Sequence, residues 1–209
     1  MPVMQTPGGT GCHVETPVQA ARDQASPVPV VELILGCMFS GKTTHLLRRI
    51  RQETSGCVAT FKHRIDDRYC PDSIVAHNMD RVSSIVVGGA AEIPQWLGEQ
   101  TRLVAVDDAH FFDEGLVALC RSLARRRVSV VMAALDRDSW GRPFPVIEEL
   151  RASVGSTTVK YSICAQCGAV ADCTQRLTPI LDGRMIGGPE SYEPRCRACW
   201  APPPTAPVD

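Results

Sequence analysis

The feature that most constrains this 209-residue chain is Gly36-Cys37-Met38-Phe39-Ser40-Gly41-Lys42-Thr43, which satisfies G-x-x-x-x-G-K-[ST]. It follows the apolar run Val30–Leu35 and opens the helical pattern TTHLLRRI. A glycine-containing turn between a buried strand and a helix start lets backbone amides close around phosphate oxygens, and the helix N-terminus favours the anion. In such a loop Lys42 reaches the β- and γ-phosphate oxygens of ATP, and the Thr43 hydroxyl is a ligand for Mg²⁺. Residues Gly36, Cys37, Met38, Phe39, Ser40, Gly41, Lys42 and Thr43 are therefore the expected nucleotide-binding set.

Around the loop, short β-branched runs alternate with amphipathic segments, the pattern of an α/β fold with a parallel sheet flanked by helices. Strands are expected at Val30–Leu35, Cys57–Lys62, Ser84–Val87, Arg102–Val106 and Val128–Leu135. Helices are expected near Lys42–Gln52, Ala91–Gln100, Glu114–Arg125 and Pro143–Arg151. Residues 1–29 and 201–209 lack hydrophobic periodicity and read as disordered tails, leaving an ATP-binding domain over 30–160 and a small cysteine-rich subdomain over 161–200.

The 22 basic and 23 acidic side chains are interspersed, so no electrostatic footprint for nucleic acid or an anionic membrane is present. No stretch approaches the roughly 20 apolar residues that span a bilayer, and residues 1–29 contain no signal-like apolar run. The expectation is a cytoplasmic protein with small-molecule partners. Its ten cysteines then point to thiols or metal ligation rather than a disulfide framework.

A P-loop site needs a carboxylate at the end of a neighbouring apolar strand for Mg²⁺, and Leu103-Val104-Ala105-Val106-Asp107 supplies it in Asp107. Cys164-x-x-Cys167 and Cys196-x-x-Cys199 form two knuckles whose four thiolates fill a closed, structural Zn²⁺ site, one ion per chain. The long separation between the pairs puts the metal at the base of a loop rather than in a compact finger. The other cysteines read as small, semi-apolar residues.

The ordered set resembles one family. The phosphate loop is followed by Asp66-Asp67-Arg68-Tyr69, Asp107-Asp108-Ala109-His110-Phe111-Phe112 and Leu135-Asp136-x-Asp138 with Pro143-Phe144. Then come the cysteine pairs enclosing Gly187-Gly188-x-Glu190-x-Tyr192. Together, over about residues 30–200, they are similar to the zinc-containing thymidine kinases of the cellular and poxviral type. The resemblance implies a P-loop domain and a zinc-based lasso closing over thymidine, usually in a homotetramer, with ATP as donor and Mg²⁺ as bridge. By matching position it implies that Met38, Phe111, Leu135, Thr174 and Tyr192 line the base pocket, with Ile186, Gly187 and Gly188 contributing lasso backbone. Arg68 matches an arginine near the phosphates, Asp66 the carboxylate that places it, and Asp108 the general base for the 5′-hydroxyl.

Four positions depart from the family pattern. Asp108 replaces the usual glutamate and is one methylene shorter. Ser139 stands where a phenylalanine usually packs near the base, with Trp140 beside it as a replacement aromatic. His110 replaces a common glutamine, and Cys37 a common proline. Two further readings stay open on these residues: a catalytically weak nucleotide-binding homologue, and a zinc-bearing P-loop ATPase.

Overall fold

The computed structural model describes residues 30–53, 57–66, 72–179 and 186–204. The expected tail at 1–29 lies outside these residues, as do positions 205–209 of the second tail and Arg68.

Twelve strands and three α-helices occur among the described residues: β1 (Val31–Gly36), α1 (Lys42–Gln52), β2 (Val58–His63), β3 (Ser73–Val75), β4 (Arg81–Ser83), β5 (Ile85–Val87), β6 (Leu103–Val106), α2 (Gly115–Arg125), β7 (Ser129–Ala134), α3 (Pro145–Ser153), β8 (Ser156–Lys160), β9 (Ser162–Ile163), β10 (Val170–Ala171), β11 (Cys173–Arg176) and β12 (Tyr192–Arg195). Six form one sheet in the order β5-β2-β6-β7-β1-β8, with every pairing parallel.

Alternation along the central strands sorts side chains between the two faces. Leu33, Leu35, Val104, Val106, Val130 and Met132 meet Leu116, Leu123, Ile147 and Leu150 from α2 and α3. Ile34, Leu103, Ala105, Val131 and Ala133 meet Leu46, Leu47 and Ile50 of α1 and Ile74 of β3. Burying one such aliphatic side chain stabilises the fold by roughly 1.5–3 kcal/mol, so α1 is held to the sheet by its apolar stripe rather than by capping. Its first residue is Lys42, and its N-cap Gly41 brings no side chain to compete for the first amides.

The expected helix over Ala91–Gln100 is replaced by two short 3₁₀ turns, Ala90–Glu92 and Pro94–Trp96. Pro94 has no amide to continue an α-helical ladder, and Leu97 is already extended before Gly98. Ile93, fully buried, anchors the segment instead. The polar edge strand β8, which among the described residues pairs with β1 alone, was not expected, nor was the β3–β4 hairpin, which Asp80 ties to Arg51 of α1. Ala201, the first residue of the expected C-terminal tail, is held by a specific contact: the Gln175 side-chain amide both donates to and accepts from its backbone, each at 2.9 Å.

Candidate functional site

In an open parallel sheet, ligands bind beyond the carboxyl ends of the strands. Here β1 ends in the phosphate loop, β2 in Lys62 and His63, β6 in Asp107 and β7 in Leu135, so four strands deliver chemistry to one rim. One pocket there is lined by the expected residues Met38, Phe39, Lys42, Thr43, Asp107, Asp108 and Leu135, together with Asp66 and His110.

Its polar end is built on two elements. Thr43 Oγ1, on the first turn of α1, donates to Asp107 Oδ1 at 3.4 Å. Asp107 is held by its own amide, which donates to the Phe61 carbonyl at 3.0 Å. Lys42 is buried, and its Nζ donates to the Cys37 carbonyl at 2.7 Å. Burial pulls the Lys42 ammonium below its ordinary range, against the attraction of Asp108 and, more weakly, Cys37 and Asp107. A polyanionic triphosphate would reinforce the charged form, so the lysine is suited to an anion. Asp108 follows in a left-handed conformation (φ 47°, ψ 49°) at the head of the turn Ala109–Phe111. Aspartate tolerates that region better than most side chains.

Sequence reasoning missed Lys62 and His77, which line the same pocket. Lys62 is 2% exposed and pairs with Asp66 at 3.1 Å. A lysine ending an apolar run reads as a solvated strand terminus; its position at the carboxyl end of a central parallel strand was the available signal. His77 stacks on Phe39 at 4.6 Å between ring centroids.

At the apolar end, Met38, Leu135 and Tyr192 form one buried cluster against which Phe39, Trp140 and Phe144 pack. Trp140 thus supplies an aromatic wall beside Ser139, which is itself fully buried. Tyr192 is fixed by Arg176, whose Nη1 donates to the phenolic oxygen at 2.7 Å. Gly187 lies against the Tyr192 ring, where a Cβ would fall 2.9 Å from Cε2, so only glycine fits. Gly188 is buried, and its carbonyl accepts from the Tyr192 amide at 3.1 Å; Ile186, just before, is half-buried. The Thr174 hydroxyl accepts from the Met38 amide at 3.1 Å. Phe111 stands beside the pocket, stacked on His110 at 4.2 Å.

The sulfur atoms of Cys164, Cys167, Cys196 and Cys199 all lie within 4.8 Å of one another. Tetrahedral Zn²⁺ with Zn–S bonds of about 2.3 Å places its sulfurs about 3.8 Å apart, so the quartet fits that ion. Burial opposes ionisation of Cys164, but amides of Cys196, Cys167 and Gln166 outweigh it and hold the thiol down at about 6. Hydrogen bonds with Cys167 and Cys196 keep Cys199 up at about 12. Four crowded thiols that share few charges in this way are what a divalent cation relieves.

Comparison with known proteins agrees with this geometry. The family profile described as thymidine kinase matches residues 29–200. A thymidine kinase of Rhodothermus sp. (strain ITI 518) is 40% identical over 175 residues, covering 83% of this chain and 82% of that protein. With a profile match over most of its length and a relative 40% identical across it, the chain belongs to the thymidine kinase family.

Proposed function

We propose that the protein transfers the γ-phosphoryl group of ATP to the 5′-hydroxyl of thymidine, giving dTMP and ADP, with deoxyuridine as a second acceptor. One observation carries this reading: Lys42, Thr43, Asp107 and Asp108 share a pocket with the apolar residues Met38 and Leu135. A phosphate site and a site for a flat base are thereby continuous.

In this reading the loop amides and Lys42 hold the phosphates, and Asp108 accepts or orients the proton of the 5′-hydroxyl. Phosphoryl transfer depends mainly on positioning and charge stabilisation, so these fixed groups supply most of what the reaction needs. Mg²⁺ would be held by the Thr43 hydroxyl and the Asp107 carboxylate, two hard oxygen donors at the loop, where it would neutralise phosphate charge. The base packs between Met38, Leu135, Tyr192 and Trp140, with Thr174, Phe111 and Ile186 to Gly188 at its margins. Asp66 and Arg68 serve the phosphate side.

Zn²⁺ is structural in this reading, dividing the chain into an ATP-binding unit over 30–160 and a lasso unit over 161–200. Assembly into a homotetramer is supported by exposed apolar side chains at Tyr161, Ile163 and Val170. A cytoplasmic role in nucleotide salvage is consistent with the absence, among the described residues, of any helix long and apolar enough to cross a membrane.

The test is incubation of purified protein with MgATP and labelled thymidine. Labelled dTMP is expected; ATP turnover that ignores thymidine, without dTMP, would overturn the reading.

A further inference from the structure

Three consecutive residues of the phosphate loop are held by the cysteine subdomain rather than by the sheet that carries the loop. The Cys37 thiol donates to the Ala171 carbonyl at 3.5 Å. The Met38 amide donates to Thr174 Oγ1 at 3.1 Å. The Phe39 carbonyl accepts from Ser162 Oγ at 3.1 Å. Just before them, a Cβ on Gly36 would lie 2.2 Å from the Lys160 carbonyl, so the loop's first residue is pressed against the backbone that leads into the subdomain.

Phe39 needs such support. Its φ of 62° is left-handed, a conformation that costs a large aromatic residue on the order of 1–3 kcal/mol unless its surroundings impose it. The Ser162 bond and the His77 ring contact are what fix it.

The contacts also connect to the metal quartet. Ser162 and Ala171 are cross-strand partners in the β9–β10 hairpin. The turn of that hairpin is the first cysteine knuckle, where the Cys164 amide donates to the Ala169 carbonyl at 2.7 Å and Gly168 donates back to Cys164 at 2.9 Å. Strands of two residues do not hold a hairpin by themselves. The Ala165 amide joins the knuckle to Pro194 of β12 at 2.9 Å, and β12 pairs with β11, which carries Thr174.

We propose that the zinc subdomain is the scaffold of the phosphate loop, with Ser162 and Thr174 as positioning residues for ATP binding. The proposal rests on the reading that this loop binds ATP. It adds that the metal, far from the phosphates along the chain, sets ATP affinity through Ser162, Ala171 and Thr174.

The experiment uses full-length, zinc-loaded protein and measures MgATP affinity without thymidine, thymidine affinity without ATP, zinc content and thermal midpoint. Ser162→Ala removes one hydrogen bond to a backbone carbonyl, so MgATP affinity is expected to weaken about two- to tenfold. Thymidine affinity and zinc content should stay at wild-type values. Ser162→Thr, which keeps the donor, should restore MgATP affinity, and stripping zinc from wild-type protein should weaken it at least as much as Ser162→Ala. Unchanged MgATP affinity in Ser162→Ala would overturn the proposal, as would a parallel fall in both affinities and the thermal midpoint. Failure of wild-type protein to bind MgATP would overturn the ATP reading itself.

Discussion

The Thr43 hydroxyl reaches Asp107 Oδ1 at 3.4 Å, joining the head of α1 to the residue that follows β6, although β7 lies between β6 and the loop-bearing β1 in the sheet. In the proposed reading these two oxygen donors would hold Mg²⁺ beside the loop. Asp107→Asn removes a charge without changing shape. We expect kcat to fall by about a hundredfold or more and the Mg²⁺ concentration for half-maximal rate to rise. Thr43→Ser keeps the hydroxyl and should behave nearly as wild type. An Mg²⁺ titration that is the same in Asp107→Asn and wild type would remove Asp107 from this role.

Variants of Asp108 test the general base of the proposed mechanism separately from positioning. Asp108 lies in a left-handed turn and lines the pocket together with Lys42, with a side chain shorter than the glutamate common in the family. Loss of a general base costs about 10²- to 10⁴-fold, so Asp108→Asn should lose activity on that scale while MgATP affinity persists. Asp108→Glu should match or exceed wild type in single-turnover dTMP formation. Equal rates for the asparagine variant and wild type would rule out the base.

At the apolar end, Trp140 packs on the cluster of Met38, Leu135 and Tyr192, and Ser139 is fully enclosed. Trp140→Ala should raise KM for thymidine and leave KM for MgATP alone. Ser139→Phe, the residue usual in the family, has no space to enter and should destabilise the protein by about 1–3 kcal/mol. Denaturant midpoints check the second expectation; a gain in stability from the phenylalanine would show the site to be underpacked.

Cys37 links the loop to alkaline stability. Burial pushes its thiol from an ordinary 9.0 up to about 11, despite the opposing attraction of Lys42. A thiol whose pKa is raised on folding contributes its full stability below pH 9 and loses it as pH rises towards 11, a difference of roughly 2–3 kcal/mol. Lys42, shifted downwards, acts in the opposite sense but is common to both proteins compared. Between pH 9 and 11, Cys37→Ala should therefore lose stability less steeply than wild type in chemical denaturation. Parallel pH profiles would contradict this.

Much of the fold was readable because it depends on local pattern. The strand before the loop, the helix Lys42–Gln52 and the strand that runs up to Asp107 each combine apolar runs with a motif that fixes their ends. Strand β8 was not readable: Ser156-Thr157-Thr158-Val159-Lys160 has no buried face to imprint a period on an edge strand. The false helix over 91–100 had the composition of one, and Pro94 decided otherwise.

The site divides in the same way. That Lys42, Thr43 and Asp107 would converge on one pocket was legible because the motif and the strand end place them there. Lys62 was not, since its ion pair with Asp66 depends on the chain's path after β2. Nor could any local signal show that Thr174 would meet Met38, 136 residues earlier.

The sheet order has a consequence for synthesis. The strand carrying the loop is flanked only by β7 and β8, the first of which pairs Val130 with Val31. As the chain leaves the ribosome, β1 emerges before the other strands and remains without a sheet neighbour until β7 has followed. Closing so wide a loop is entropically slow, and an apolar strand exposed meanwhile invites aggregation. We expect nascent chains stalled before residue 129 to depend on chaperones, because the earliest-made part of the site is the last to be housed.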